Sequence, residues 1–134
     1  MLKRIGWIQV FVSDMERAVQ FYADTLGIGV RTRSPDFPEF VELATEGTIL
    51  ALNRPSDQWP EGTRLVGRFT GITLTVPDIE SAHRSLSAKG VRLSVSSAGT
   101  LGRNDDLVVR PGRERDLAAG MERGLALSRL AAES

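Results

Sequence analysis

An internal repeat constrains this 134-residue chain more than any other feature. Residues 8–18 read Ile-Gln-Val-Phe-Val-Ser-Asp-Met-Glu-Arg-Ala, and 64 positions later residues 72–82 read Ile-Thr-Leu-Thr-Val-Pro-Asp-Ile-Glu-Ser-Ala. Each copy opens with five residues in which aliphatic side chains alternate, which is the period of a strand with one buried face. Each copy then changes to the spacing of an amphipathic helix. The repeat therefore predicts a fold built from two related modules.

Capping and turn residues mark where these elements begin and end. Ser13 and Glu16 have the spacing of a capping box, and Asp78 is a suitable N-cap for the second helix. Gly27 and Gly90 stand where the helices end and a left-handed residue is favoured. Three strand-like runs, separated by turn residues, follow the first helix at about 28–33, 39–44 and 48–53. The first module is thus predicted as βαβββ, and the second begins in the same way.

The chain is predicted to be a single α+β domain of two βαβββ modules. The predicted boundaries are a first module at 4–54, an exposed linker at 55–67, the start of the second module at 68–95, and an atypical tail at 96–134.

Composition excludes several classes of function. Seventeen basic and seventeen acidic residues give no net charge, whereas nucleic-acid-binding proteins normally carry a basic excess. No apolar run approaches the length of a membrane span, and the first residues lack the pattern of a signal peptide. The absence of cysteine rules out disulfides, thiolate nucleophiles and cysteine-ligated metals. We therefore expect a cytoplasmic protein that contacts neither nucleic acid nor membrane.

Two stretches resemble the vicinal oxygen chelate superfamily, which includes glyoxalase I, bleomycin-resistance proteins and ring-cleaving dioxygenases. Residues 12–27, Val-Ser-Asp-Met-Glu-Arg-Ala-Val-Gln-Phe-Tyr-Ala-Asp-Thr-Leu-Gly, are similar to the first helix of that family. Residues 70–80, Thr-Gly-Ile-Thr-Leu-Thr-Val-Pro-Asp-Ile-Glu, are similar to the start of its second module. The resemblance implies paired modules that curl around a ligand-binding cleft, commonly in a homodimer.

The resemblance also implies where metalloenzymes of the family carry their ligands, and this chain departs from that pattern. Trp7, Gly71 and Ala51 stand at three of the ligand positions, and none of these side chains can bind a cation. We therefore expect no metal, no cofactor and no assigned catalytic residue, which disfavours metal-dependent catalysis and leaves enzymatic activity open. His83, the only histidine, is interpreted as a structural or surface residue.

The period of the strands predicts which side chains face the cleft. The predicted lining consists of aromatic, small and neutral polar residues: Trp7, Gln9, Phe11, Ala51, Asn53, Gly71, Thr73 and Thr75. Such a lining suits a neutral or aromatic small molecule. The alternative is that Trp7 and Phe11 simply fill the space that a ligand would need.

The tail departs from the family in a particular way. Read one nucleotide later, with suitable codons, Arg103 to Gly120 becomes Gly-Met-Met-Thr-Trp-Ser-Phe-Asp-Pro-Asp-Gly-Asn-Glu-Ile-Ser-Leu-Leu-Glu, which resembles the end of the family's second module. This match leads to the hypothesis of a frame slip near Ser96. If the tail is authentic, we expect one strand at Leu107–Val109 and a helix over 113–133, so that the second module is incomplete or replaced by a C-terminal helix.

These expectations favour a glyoxalase/bleomycin-resistance-like protein that binds a small molecule in a metal-free cleft. Two alternatives stay open at this point: a metal-dependent lyase, isomerase or dioxygenase of the same superfamily, and a non-functional product of a shifted reading frame.

Overall fold

The computed structural model describes residues 1–68, 72–91, 93–95, 107–109 and 125–129. The described residues fall into two compact units, the first comprising residues 1–68 and the second beginning at residue 72.

The first unit is a four-stranded sheet with one helix against it. Its elements are β1 (Trp7–Phe11), α1 (Met15–Val19), a π-helical continuation of α1 (Gln20–Thr25), β2 (Val30–Arg33), β3 (Phe40–Leu43) and β4 (Ile49–Asn53). The strand order is β1-β4-β3-β2, with β1 parallel to β4 and the other pairs antiparallel. This is the βαβββ module predicted from the sequence, with β2, β3 and β4 inside the three predicted runs.

The core of this unit lies between the helix and one face of the sheet. Strand residues at alternate positions and helix residues at helical spacing are buried together: Val10, Val12, Val41, Leu43, Leu50 and Leu52 from the sheet, and Met15, Ala18, Phe21 and Tyr22 from the helix. A large apolar side chain contributes about 1.5–3 kcal/mol when fully buried, so this layer is the main source of the unit's stability.

The helix differs from its sequence prediction at both ends. Its N-cap is Asp14, whose carboxylate accepts a hydrogen bond from the backbone N–H of Arg17 at 3.1 Å, so the predicted capping box at Ser13 is corrected. Towards the C-terminus, the Leu26 N–H donates to the Phe21 carbonyl, five residues back. This π-helical turn follows α1 directly, and both Phe21 and Tyr22 lie in the core.

The segment after β4 is not a bare linker. It contains one short helical turn, α2 (Pro60–Thr63), with Trp59 as its N-cap residue and Pro60 at the first helical position. The prediction of an exposed linker at 55–67 missed this turn.

The second unit repeats the topology of the first. Its elements are β5 (Ile72–Val76), α3 (Ile79–Ala88), β6 (Leu93–Val95), β7 (Leu107–Val109) and β8 (Leu125–Arg129), and the sheet order is β5-β8-β7-β6. Asp78 caps α3 by accepting from the N–H groups of Glu80 and Ser81. The predicted α+β class with βαβββ modules is confirmed.

The strand at Leu125–Arg129 corrects one expectation about the tail. A helix over 113–133 was predicted from apolar residues at four-residue spacing, yet these five residues pair with β5 in parallel and with β7 in antiparallel register. Leu125 and Leu127 also fit an alternating pattern, and pairing here satisfies the edge of β5, which would otherwise expose its N–H and C=O groups. The remainder of the predicted helix lies outside the described residues.

Within the described ranges, no helix has the length and apolar character needed to cross a bilayer.

Candidate functional site

The candidate site is the face of the first sheet that is turned away from α1. Paired residues on adjacent strands share a face, so the strand register defines rows of side chains. One row runs from β1 to β2 through Gln9, Ala51, Glu42 and Thr32. We call the whole set the open face: Trp7, Gln9, Phe11, Thr32, Phe40, Glu42, Ile49, Ala51 and Asn53. It brings together five of the predicted lining residues, namely Trp7, Gln9, Phe11, Ala51 and Asn53.

Trp7 lies across the open face and is held by two residues of β3. Its indole N–H donates a hydrogen bond of 2.8 Å to Oε1 of Glu42, and its ring meets Phe40 edge-on at a centroid distance of 6.4 Å. Because β4 lies between β1 and β3, the indole must cross β4 to reach Glu42. The small side chain of Ala51, on β4 opposite Glu42, leaves room for this crossing and is completely buried.

The exposure of Trp7 bears on the alternative that this ring fills the space of a ligand. Trp7 remains 55% exposed and lies on the opposite side of the sheet from the core. An indole fixed in orientation yet open to solvent is a surface on which another ring can stack.

A pair of amides adds directional hydrogen bonding to the open face. Asn53 donates from Nδ2 to Oε1 of Gln9 at 3.0 Å, across the β1–β4 pair. With the amides in this orientation, the pair presents the Gln9 Nε2 donor and the Asn53 Oδ1 acceptor to a ligand.

Trp59 forms a wall at the Phe11 end of the open face. The two rings meet edge to face at a centroid distance of 5.4 Å, and Trp59 keeps 41% of its surface exposed. Gly62 also lies close to the indole, since a Cβ atom at this position would come within 2.7 Å of Trp59. Both tryptophans of the chain therefore belong to this site.

Sequence reasoning missed Trp59, Phe40 and Glu42. The alternation of Phe40-Val41-Glu42-Leu43 could have placed Phe40 and Glu42 on the face opposite the core, because Val41 and Leu43 are plainly core residues. No sequence signal places Trp59, since its contact with Phe11 spans 48 residues and depends on how the chain turns after β4.

Glu42 is the charged residue of the open face. The expected lining carried no charge, and the carboxylate of Glu42 corrects that expectation. Two ion pairs of the first unit lie elsewhere: Glu16 with Arg33 on the helix side of the sheet, and Glu39 with Arg54 at 3.3 Å. On the core side, burial raises the pKa of Tyr22 strongly, so its phenol stays neutral.

The second unit contains the remaining predicted lining residues. Thr73 and Thr75 are exposed and alternate along β5 with the half-buried Ile72, Leu74 and Val76, as the strand period predicts. Gly71 lies outside the described residues. His83 is exposed on α3, as expected for a surface residue.

The described residues contain no group of three or more His, Cys, Asp or Glu side chains arranged to hold a metal ion. At two of the ligand positions implied by the resemblance, the structure places the indole of Trp7 and the methyl group of Ala51.

A comparison with sequence models of protein families shows to which family this chain of βαβββ modules belongs. The sequence model of the Glyoxalase/Bleomycin resistance protein/Dioxygenase superfamily matches residues 4–101. The chain belongs to this superfamily. No curated protein is detectably similar to it in sequence.

Solved structures show the same fold at low sequence identity. TnmS3, an antibiotic binding protein from Streptomyces sp. CB03234, superposes with a TM-score of 0.70 at 20% identity, covering 97% of this chain and 98% of that one. A superfamily member from Sphaerobacter thermophilus gives 0.67 at 22% identity, covering 96% and 98%. Lactoylglutathione lyase from Agrobacterium tumefaciens gives 0.63 at 11% identity, covering 96% and 95%. An antibiotic binding protein and a lyase thus share this architecture, so the fold alone does not assign the activity.

Proposed function

We propose that this superfamily member binds a small aromatic molecule on the open face and acts by sequestering it, without a metal. The observation that carries the proposal is the pair of fixed, solvent-exposed indoles, Trp7 at 55% and Trp59 at 41% exposure, on one side of a sheet. Such an arrangement suits a planar ligand, because each aromatic contact adds about 0.5–1.5 kcal/mol beyond the burial of apolar area. The antibiotic-binding description of TnmS3 supports this class of function.

The sheet supplies the preorganisation that a sequestering protein needs. Hydrogen bonding to Glu42 fixes Trp7, and packing on Phe11 and Gly62 fixes Trp59, so little side-chain entropy is lost when a ligand binds. The Gln9–Asn53 amide pair then orients polar substituents of the ligand. Gly71, Thr73 and Thr75 remain proposed lining residues of the second module.

A ligand screen tests the proposal. Acridine and bleomycin are titrated into the protein, and binding is followed by quenching of tryptophan emission and by the rise in melting temperature that a ligand selective for the native state produces. We expect Trp7→Ala to weaken binding at least about tenfold, since about 1.4 kcal/mol corresponds to that factor. Phe37→Ala is the matched control, because it removes a ring that is 70% exposed outside the open face. Equal losses in both variants, or no binding to the unaltered protein, would contradict the proposal.

The metal-free part of the proposal has its own test. It is supported by the side chains of Trp7 and Ala51, which stand at two of the metal-ligand positions implied by the resemblance. Neither side chain has an atom that can coordinate a metal ion. The purified protein is dialysed against Zn²⁺, Ni²⁺, Mn²⁺ or Fe²⁺ and analysed for metal content. One tightly bound ion per chain would overturn the metal-free interpretation and favour the metal-dependent lyase, isomerase or dioxygenase alternative.

The proposal also includes a homodimer in the cytoplasm. Sedimentation velocity over a range of protein concentrations tests the assembly, and a sedimentation coefficient that stays monomeric throughout would contradict it. Fractionation of the producing cells tests the location.

The frame-slip hypothesis remains a separate proposal about residues 96–134. It is supported by the end of the family match at residue 101, shortly after the proposed slip near Ser96. The shifted frame would place an Asp-Pro-Asp-Gly-Asn turn directly after the positions of β7, so that the last strand starts about ten residues earlier than Leu125. Resequencing of the coding DNA, together with the intact mass of the protein, decides between the frames. A clean read with a mass of 14.6 kDa would refute the slip.

A further inference from the structure

The carboxylate of Glu42 bears on which aromatic ligands the open face binds. Its Oε1 accepts the Trp7 indole N–H, and among the described residues neither a hydrogen bond nor an ion pair engages Oε2. The cross-strand neighbours of Glu42 on the open face are Thr32 and Ala51, which are both uncharged. Glu42 is half-buried as a residue, and its carboxylate lies against the Trp7 indole.

Two arginines of the first unit are engaged with other carboxylates, and Arg31, in the β-bulge next to Thr32, makes no ion pair with Glu42. Arg33 pairs with Glu16 on the core side of the sheet, because it lies opposite Val41 in the register. Arg54 pairs with Glu39. The open face thus carries a carboxylate that no described residue engages in an ion pair.

From this arrangement we infer that the open face selects aromatic ligands that carry a cationic group, such as a protonated amine or a guanidinium. The carboxylate of Glu42 attracts the cation, and the ring faces of Trp7 and Phe40 add cation–π attraction at the same place. An anionic ligand is repelled by the same carboxylate. This inference rests on the proposed binding function and replaces the expectation of a neutral ligand.

Three planar probes of similar shape test the inference: 9-aminoacridine, acridine and acridine-9-carboxylate, which are cationic, neutral and anionic at neutral pH. Titration calorimetry is expected to show that 9-aminoacridine binds about tenfold more tightly than acridine, while acridine-9-carboxylate binds most weakly. The advantage of the cation should shrink as salt is added, because screening weakens exposed charge pairs.

The decisive variant is Glu42→Gln. Its amide oxygen can still accept the Trp7 hydrogen bond, so the fold and the indole position are retained while the charge is lost. We expect the tenfold advantage of 9-aminoacridine to disappear in this variant. Glu46→Gln is the matched control, because it removes a charge from an exposed turn between β3 and β4. This control should keep the advantage.

The outcomes separate this inference from the proposed function. If Glu42→Gln binds the three probes in the same order and ratio as the unaltered protein, the charge inference is wrong. Should Trp7→Ala still abolish binding in that case, the aromatic site itself stands. If the unaltered protein binds bleomycin but none of the three acridines, the inference alone fails. If it binds neither bleomycin nor any of the acridines, both the inference and the proposed function fail.

Discussion

Replacement of Gly62 by alanine tests how the wall of the open face is built. A methyl group at this position would approach Trp59 Cε3 to 2.7 Å, Trp59 Cζ3 to 2.9 Å and Pro55 Cβ to 3.0 Å. Carbon atoms pack best at about 3.5–4.0 Å, so the closest contact is short by ~0.8 Å. The added methyl group must therefore displace the indole of Trp59 or the chain at Pro55.

The size of the effect follows from two opposing contributions. Overpacking of this kind typically costs about 1–3 kcal/mol. Alanine is favoured over glycine in a helix by up to about 1 kcal/mol, although a four-residue turn realises only part of that gain. We therefore expect Gly62→Ala to lower the free energy of unfolding by about 1–2 kcal/mol. The loss should come mainly from the Phe11–Trp59 ring contact, because Trp59 is the side chain that can move.

The assay combines chemical unfolding with the emission of Trp59, recorded in a Trp7→Phe background so that Trp59 is the only indole. Gly29→Ala is the control, because no atom lies within 4 Å of its added methyl group and its backbone is not left-handed. This control should change the free energy of unfolding by no more than about 0.5 kcal/mol. If Gly62→Ala unfolds at the same denaturant concentration as Gly29→Ala and leaves the Trp59 emission unchanged, the packing of this wall has been described wrongly.

Three further predictions concern the core, a helix cap and an ion pair. Leu52→Ala, at a fully buried position in an interior strand, should cost about 2–5 kcal/mol in chemical unfolding, and a loss below about 1 kcal/mol would show that the site is not close-packed. Asp78→Ala should cost about 1 kcal/mol by the same assay, whereas Asp78→Asn, which keeps a capping oxygen, should lose less. Hydrogen bonding to Arg33 holds the pKa of Glu16 below its ordinary value of 4.5, so the pair stabilises the fold above that pH and the contribution is lost as the pH falls through the lowered value. When the free energy of unfolding is measured as a function of pH, its loss below pH 4.5 should therefore be smaller in Glu16→Gln than in the unaltered protein. An equal loss in the two proteins would show that the pair contributes nothing.

Much of the fold could be predicted from the sequence because its signals are local. Alternating aliphatic residues at 8–12 define a strand wherever one face is buried, and Gly27 and Gly90 adopt the left-handed φ values of +77° and +82° that end the two helices. Because the same pattern recurs in both halves of the chain, the repeat is sufficient to predict two modules of one type.

The candidate site could be predicted only in part, because a strand period assigns faces but not partners. Trp7, Gln9 and Phe11 follow from the alternation of β1, and Ala51 and Asn53 from that of β4. Glu42 joins them only because the sheet order places β4 between β1 and β3, which lets the Trp7 indole cross the small Ala51 to reach the carboxylate.

The tertiary structure alone decided the charge and the outer wall of the site. Trp59 follows the strands in a segment whose composition is typical of an exposed linker, and only packing against Phe11 and Gly62 brings its ring to the open face. Leu125–Arg129 likewise fits both a helix and a strand by its own residues, and pairing with β5 and β7 determines which forms. In each case the local preference is weak, so long-range contacts, which the sequence pattern does not encode, determine the result.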